Sequence, residues 1–141
     1  MNEFERDGIS FRFPANWNAE VEESEEGGWA VTVSSPATAF LVVSLRPDAH
    51  DPADLADQTL DALRSEYKEL DSENRLDSVA GLPAIGYDID FITVDTTVIC
   101  RVRALDAPTG PLLLMAQTSE YDLERHDPVL RAMVASLRVE E

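Results

Sequence analysis

Basic residues are scarce: 11 lysines and arginines stand against 28 aspartates and glutamates over 141 residues, a formal charge of −17 at pH 7. A field of that sign repels phosphate backbones and anionic lipid, which argues against nucleic-acid and anionic-membrane partners. The shortage runs through the whole chain, with 15 acids to 5 bases in residues 1–70 and 13 to 6 in residues 71–141. It leaves basic proteins open as partners, and simple solubility as the plainest reason for the charge. There is one cysteine, Cys100, so neither an internal disulfide nor a cysteine-rich zinc site can form. Its neighbours Val98, Ile99 and Val102 predict a small core residue rather than a reactive thiol.

Long apolar runs are missing too. Nothing approaches the roughly 20 apolar residues needed to cross a bilayer. Residues 1–5 lack the basic and apolar segments of a secretion leader, so the expected location is cytoplasmic. Nor are the local signatures of catalysis present. Ser10, Ser44, Ser65 and Ser136 stand outside any GxSxG turn, and Gly27-Gly28 has no downstream lysine to make a phosphate loop. No GxGxxG, HExxH or EF-hand pattern occurs, and no cofactor is expected.

The residues that are present read as strands and two helices in a single domain, residues 1–141, with its compact core over about 9–139. Ile9-Ser10-Phe11-Arg12-Phe13 alternates as a half-buried strand does, and Pro14 ends it. Trp17 and Val21 frame a short second strand. Trp29, Val31 and Val33 share one face of a third, and Leu41, Val43 and Leu45 resume the phase in a fourth, antiparallel to it. Asp51-Pro52 is a helix start, because an aspartate can cap free N–H groups and proline suits the first turn. A stripe of Leu55, Ala56, Thr59, Leu63, Tyr67 and Leu70 predicts a helix over residues 52–69. Residues 73–79 carry a weaker strand pattern.

The sharpest signal lies in the second half. Ile85, Tyr87, Ile89 and Phe91 alternate with Gly86, Asp88, Asp90 and Ile92, and Val98, Cys100, Val102 and Ala104 with Ile99, Arg101 and Arg103. A turn centred near Val94-Asp95 sets Phe91 opposite Val98, Ile89 opposite Cys100, Tyr87 opposite Val102 and Asp88 opposite Arg101. Asp88 and Asp90 are therefore expected to pair with Arg101 and Arg103 on the other face of the hairpin. Residues 112–116 are apolar throughout, as in a strand covered on both sides. Asp127-Pro128 repeats the earlier helix start and predicts a C-terminal helix with Val129, Leu130, Met133, Val134 and Leu137 buried.

Phe11-x-Phe13-Pro14-x-x-Trp17, the Ser35-Pro36 turn and the closing Ser136-Leu137-Arg138-Val139 together resemble the PsbP/Mog1-like superfamily, with a bacterial DUF1795-type protein the nearest in look, over about residues 9–139. The resemblance implies an α/β fold, a predominantly antiparallel sheet flanked by helices in an α/β/α sandwich. The superfamily includes a photosystem assembly subunit, a Ran-binding import factor and secretion-associated chaperone-like proteins, which implies a scaffold for protein contacts.

Several side chains compete for a functional reading. His50-Asp51-Pro52 and His126-Asp127-Pro128 could join in a metal or proton-transfer site if folding brought them together with Asp88, yet each triplet is also explained as a helix entrance. Trp17, Trp29 and Tyr87 fit core packing better than a ligand-stacking surface. Glu20, Glu22, Glu23, Glu25 and Glu26 concentrate charge around an early turn and form the candidate docking surface for a basic protein partner. A protein-binding or assembly module is thus the leading expectation. A small-molecule-binding domain is the alternative, and a hydrolytic or metal-dependent enzyme the third. A homodimer through a sheet edge is a contingent expectation, because net repulsion opposes self-association.

Overall fold

The computed structural model describes residues 1–140. The hydrophobic alternation becomes ten strands: β1 (Asn2–Arg6), β2 (Ile9–Phe13), β3 (Asn18–Glu23), β4 (Trp29–Ser34), β5 (Phe40–Leu45), β6 (Leu70–Val79), β7 (Leu82–Ile92), β8 (Thr97–Ala107), β9 (Gly110–Ser119) and β10 (Arg138–Val139). Helix α1 (Pro52–Glu66) separates β5 from β6, and α2 (Leu123–Ala135) comes after a 3₁₀ turn at the end of β9. A seven-stranded sheet in the order β3-β4-β5-β9-β8-β7-β6 forms the middle layer, and every strand pair is antiparallel. A small sheet, β1-β2-β10, is separate from it.

Two apolar clusters fix the layers. On one face, Leu55, Ala56 and Leu60 of α1 bury Ile89, Phe91, Cys100, Val102 and Leu113. On the other, Ile9, Phe11 and Phe13 of the small sheet and Leu130 and Met133 of α2 cover Val31, Val43, Leu112 and Leu114. Strand β9 lies at the centre, so its run at 112–116 alternates between the two clusters. The second outer layer is therefore a helix beside a three-stranded sheet, not a helix alone.

Three local expectations change. Strand β1 precedes the anticipated core: Phe4 packs on Phe11 and Trp29, with ring centroids 5.6 and 5.2 Å apart. It returns through Asp7 and Gly8, both at positive φ, the geometry of a two-residue hairpin turn. Helix α1 starts where expected, with the Asp51 carboxylate accepting the Asp54 N–H at 2.8 Å. It stops at Glu66 rather than near 69, because Tyr67 turns extended and stacks on Phe91 at 4.0 Å. The C-terminal helix begins at Leu123, not at Asp127-Pro128, and Pro128 lies inside it. That proline cannot donate to the Glu124 carbonyl, a defect confined to the second turn of the helix.

Candidate functional site

The β7–β8 register is Phe91↔Val98, Ile89↔Cys100, Tyr87↔Val102 and Asp88↔Arg101. Its charged face looks toward α2, and the ion pairs run along diagonals of the sheet. Asp88 accepts from Arg103 Nη2 at 2.9 Å on one side and from Arg75 Nε at 2.8 Å on the other. Arg103 Nε also reaches Asp77 on β6 at 2.6 Å, passing the strand position held by Gly86. Arg101 does not pair with either hairpin acid; its guanidinium turns to Asp127 of α2. Asp90 has no salt-bridge partner among the described residues, since it faces Ile99 and Asp71 across its two neighbours. The expected four-residue exchange is thus replaced by a network that extends onto β6 and α2.

Asp127 accepts Arg131 Nε at 2.7 Å through its other oxygen, so one carboxylate holds two guanidinium groups. Burial pushes the Asp127 and Asp88 carboxyls up, but the hydrogen bonds from Arg131 and Arg101, and from Arg103 and Arg75, outweigh it and hold both below the usual carboxylate value. Asp48, bonded by Arg46 through two nitrogens at 2.9 and 3.1 Å, is lowered to about 2. With all three folded-state values depressed, the stability they confer is complete above about pH 4, the ordinary carboxylate value, and is lost as pH falls through each folded value. Urea titrations are expected to show the midpoint falling between about pH 4 and pH 2, with a shallower fall in Asp88→Asn and Asp127→Asn. An identical fall in both variants would remove these pairs as its cause.

Between α2 and the β6–β8 end of the sheet lies an open cleft of about 420 Å³. Leu41, Leu114 and Ala116 form its floor, with Leu130 and Val134 on the α2 side. Arg101, Arg103 and Arg131 line it. Sequence reasoning missed Arg75, Asp77, Asp127 and Arg131 as members of one network. Only the four-residue spacing of Asp127 and Arg131 was visible in the sequence.

The early acids occupy the opposite edge. All six residues of β3 are exposed, Glu20 and Glu22 among them, and Glu25 and Glu26 sit in the turn beyond it. Glu23 differs, because Arg6 of β1 binds both of its oxygens at 2.7 and 2.8 Å. Val21, expected to help frame a packed strand, is 48% exposed.

The two His-Asp-Pro triplets do different work. His50 is exposed, 3.9 Å from the Asp51 carboxylate at the α1 entrance. His126 is buried in α2, on the opposite face of the sheet, with its ring edge-on to Trp17 at 5.8 Å. Its Nδ1 has no hydrogen-bond partner among the described residues. His50 thus stands just before α1 and His126 within α2, helices on opposite faces of the sheet, and the shared site is not formed. Among the described residues no three His, Cys, Asp or Glu side chains converge to hold a metal. Cys100 is buried in the α1 cluster, and burial pushes its thiol up to about 12. Trp17 and Trp29 are both buried, and the Trp29 Nε1–H donates to Asp7 at 2.8 Å.

This architecture matches that of solved structures. CyanoP, the cyanobacterial PsbP of Synechocystis sp. PCC 6803, superposes with a TM-score of 0.61 at 13% identity, over 99% of this chain and 92% of that one. The fold is PsbP-like. LpqN of Mycobacterium tuberculosis, a protein involved in cell envelope biogenesis, gives 0.61 at 14% identity, over 94% of this chain and 83% of its own. PA94, a Pseudomonas aeruginosa protein of unknown function, gives 0.61 at 16% identity, over 100% and 98%. At such identities the likeness of this chain to them concerns the fold alone. No family model matches it, and no curated protein does. The DUF1795 resemblance therefore gains no support. None of the described helices is long and apolar enough to cross a membrane.

Proposed function

We propose that the chain is a protein-binding or assembly module that docks a basic segment of its partner along β3. The observation that supports this reading is the state of that strand. It ends the seven-stranded sheet, so its outer backbone groups are free to pair, and every residue in it is exposed. Glu20 and Glu22 make no salt bridge among the described residues, and Glu25 and Glu26 continue the charge past the strand. An incoming extended segment would gain main-chain hydrogen bonds from the edge and discrimination from its lysines or arginines opposite the glutamates. A second copy of the same strand would set glutamate against glutamate, which favours a basic partner over self-pairing.

An extended peptide alternating lysine with valine is the direct probe. It is expected to bind at low salt, to weaken as salt rises, and to lose about tenfold or more of its affinity to the Glu20→Lys/Glu22→Lys variant in calorimetry. Because both side chains are exposed, the variant should keep its melting temperature within a few degrees. Binding indifferent to both charge reversal and salt would reject the β3 reading.

A further inference from the structure

We infer that the cleft between α2 and β6–β8 is a binding site for a single-chain amphiphile with a carboxylate head, the head held by Arg101 and Arg131 and the alkyl chain laid along the apolar floor. Cations are scarce in this strongly acidic chain, yet three of its 11 basic residues line this one cleft. Their hydrogen bonds divide them sharply. Arg103 is largely spent: Nε donates to Asp77, Nη1 to the Tyr87 and Val102 carbonyls, and Nη2 to Asp88. Arg101 and Arg131 each use a single nitrogen, and both use it on the same carboxylate, Asp127. One negative charge therefore orients two positive ones and leaves the rest of both guanidinium forks without protein partners among the described residues.

A planar fork with unspent N–H groups matches a carboxylate, which can accept two parallel bonds from it. The rest of the cleft selects the group attached to that head. Leu41, Leu114, Ala116, Leu130 and Val134 offer an alkyl chain methyl and methylene contacts, while Asp77, already bonded to Arg103, and Ser78 make the β6 side of the cleft polar. The volume of about 420 Å³ lies within the usual range for small-molecule sites, about 300–1,000 Å³. Side-chain exposures of 25% for Arg101 and 66% for Arg131 leave both cations within reach of an incoming ligand. The field of the whole protein opposes approach of any anion, so the arginine pair must overcome it locally and supplies the choice of head group, while the apolar lining holds the chain. The site runs from β5 to β6 and takes no residue from β3, so it stands independently of the docking edge.

Three ligands of equal chain length test the assignment: decanoate, decanol and decylammonium, each titrated below its micellar range while amide shifts are monitored by NMR. Decanoate is expected to bind saturably and about tenfold or more tightly than decanol, with shifts concentrated at Val79, Val134 and Arg131. Arg131→Met should remove most of that preference while leaving decanol binding unchanged. Its melting temperature, compared with that of the parent chain, checks that the fold persists. Decylammonium binding as tightly as decanoate would overturn the inference, because nonspecific attraction to an acidic protein gives that order. So would an unchanged decanoate preference in Arg131→Met, or the absence of saturable decanoate binding.

Discussion

Gly86→Ala is expected to destabilise the protein by about 3 kcal/mol or more, an effect out of proportion to one methyl group. A Cβ at this position would lie 1.8 Å from the Val102 carbonyl oxygen, 2.7 Å from its carbon and 3.0 Å from the Arg103 Cα. All three are backbone atoms of β8, so no rotamer change relieves the clash, and β7 and β8 must part. The separation would propagate, since Gly86 is paired on its other side with Arg75 of β6. Gly81 gives the control. It sits at positive φ in the β6–β7 turn but has open space around its would-be Cβ, so Gly81→Asn should cost less than about 1 kcal/mol. Urea denaturation of the two variants separates the cases. A Gly86→Ala protein within about 0.5 kcal/mol of the parent would show that the close approach carries no energetic consequence.

The second large effect belongs to Arg103→Met, for which about 2–3 kcal/mol at neutral pH is expected. The Arg103 side chain is 13% exposed and neutralises both Asp77 and Asp88. Without it, Arg75 alone opposes the burial of Asp88, so the carboxyl rises from its depressed value toward the ordinary one. The cost stays below that of a fully enclosed pair because Asp77 and Asp88 retain 46% and 32% exposure and can draw water. Protonation of Asp88 removes the uncompensated charge, so the gap between Arg103→Met and the parent should narrow as pH falls below about 4. Denaturation at neutral and acidic pH measures that gap directly. A constant gap would mean that the loss is one of packing rather than charge.

These residues also show what could be read from sequence and what could not. The β7–β8 register was legible because two alternating apolar runs flank one turn, and a slip by one residue would expose every buried side chain. The pairing of Asp88 with Arg103 rather than Arg101 was not, because a diagonal contact depends on strand twist and on α2 bringing Asp127 to Arg101. Strand β1 carries little apolar signal, because Phe4 is its one apolar residue inside an otherwise polar segment, although Asp7-Gly8 is a strong hairpin signal. The start of α2 at Leu123 is not legible, because Asp-Pro, which does open α1 at Asp51, predicts an entrance too late in the chain. At Asp127 the same dipeptide falls mid-helix, and its carboxylate serves two arginines instead of the backbone. The cleft joins β5, β6, β8, β9 and α2, elements scattered along the chain, so no single window of sequence could show it. The acidic concentration at residues 20–26 was visible at once, but Arg6 removes Glu23 from the free set only in three dimensions.

The placement of β9 beside β5 gives the chain a kinetic seam. Strands β3-β4-β5 form one local meander and β6-β7-β8-β9 another, each built from neighbours in sequence. The two join only where Phe40–Leu45 meets residues 112–117, about seventy positions later. Closing so long a loop costs entropy before any contact repays it, so assembly of the halves, rather than formation of either, sets the pace of folding. Until the seam closes, Leu41, Val43 and Leu45 have no β9 partner, and the growing chain carries two half-built sheets whose future inner edges stand open to the wrong strand.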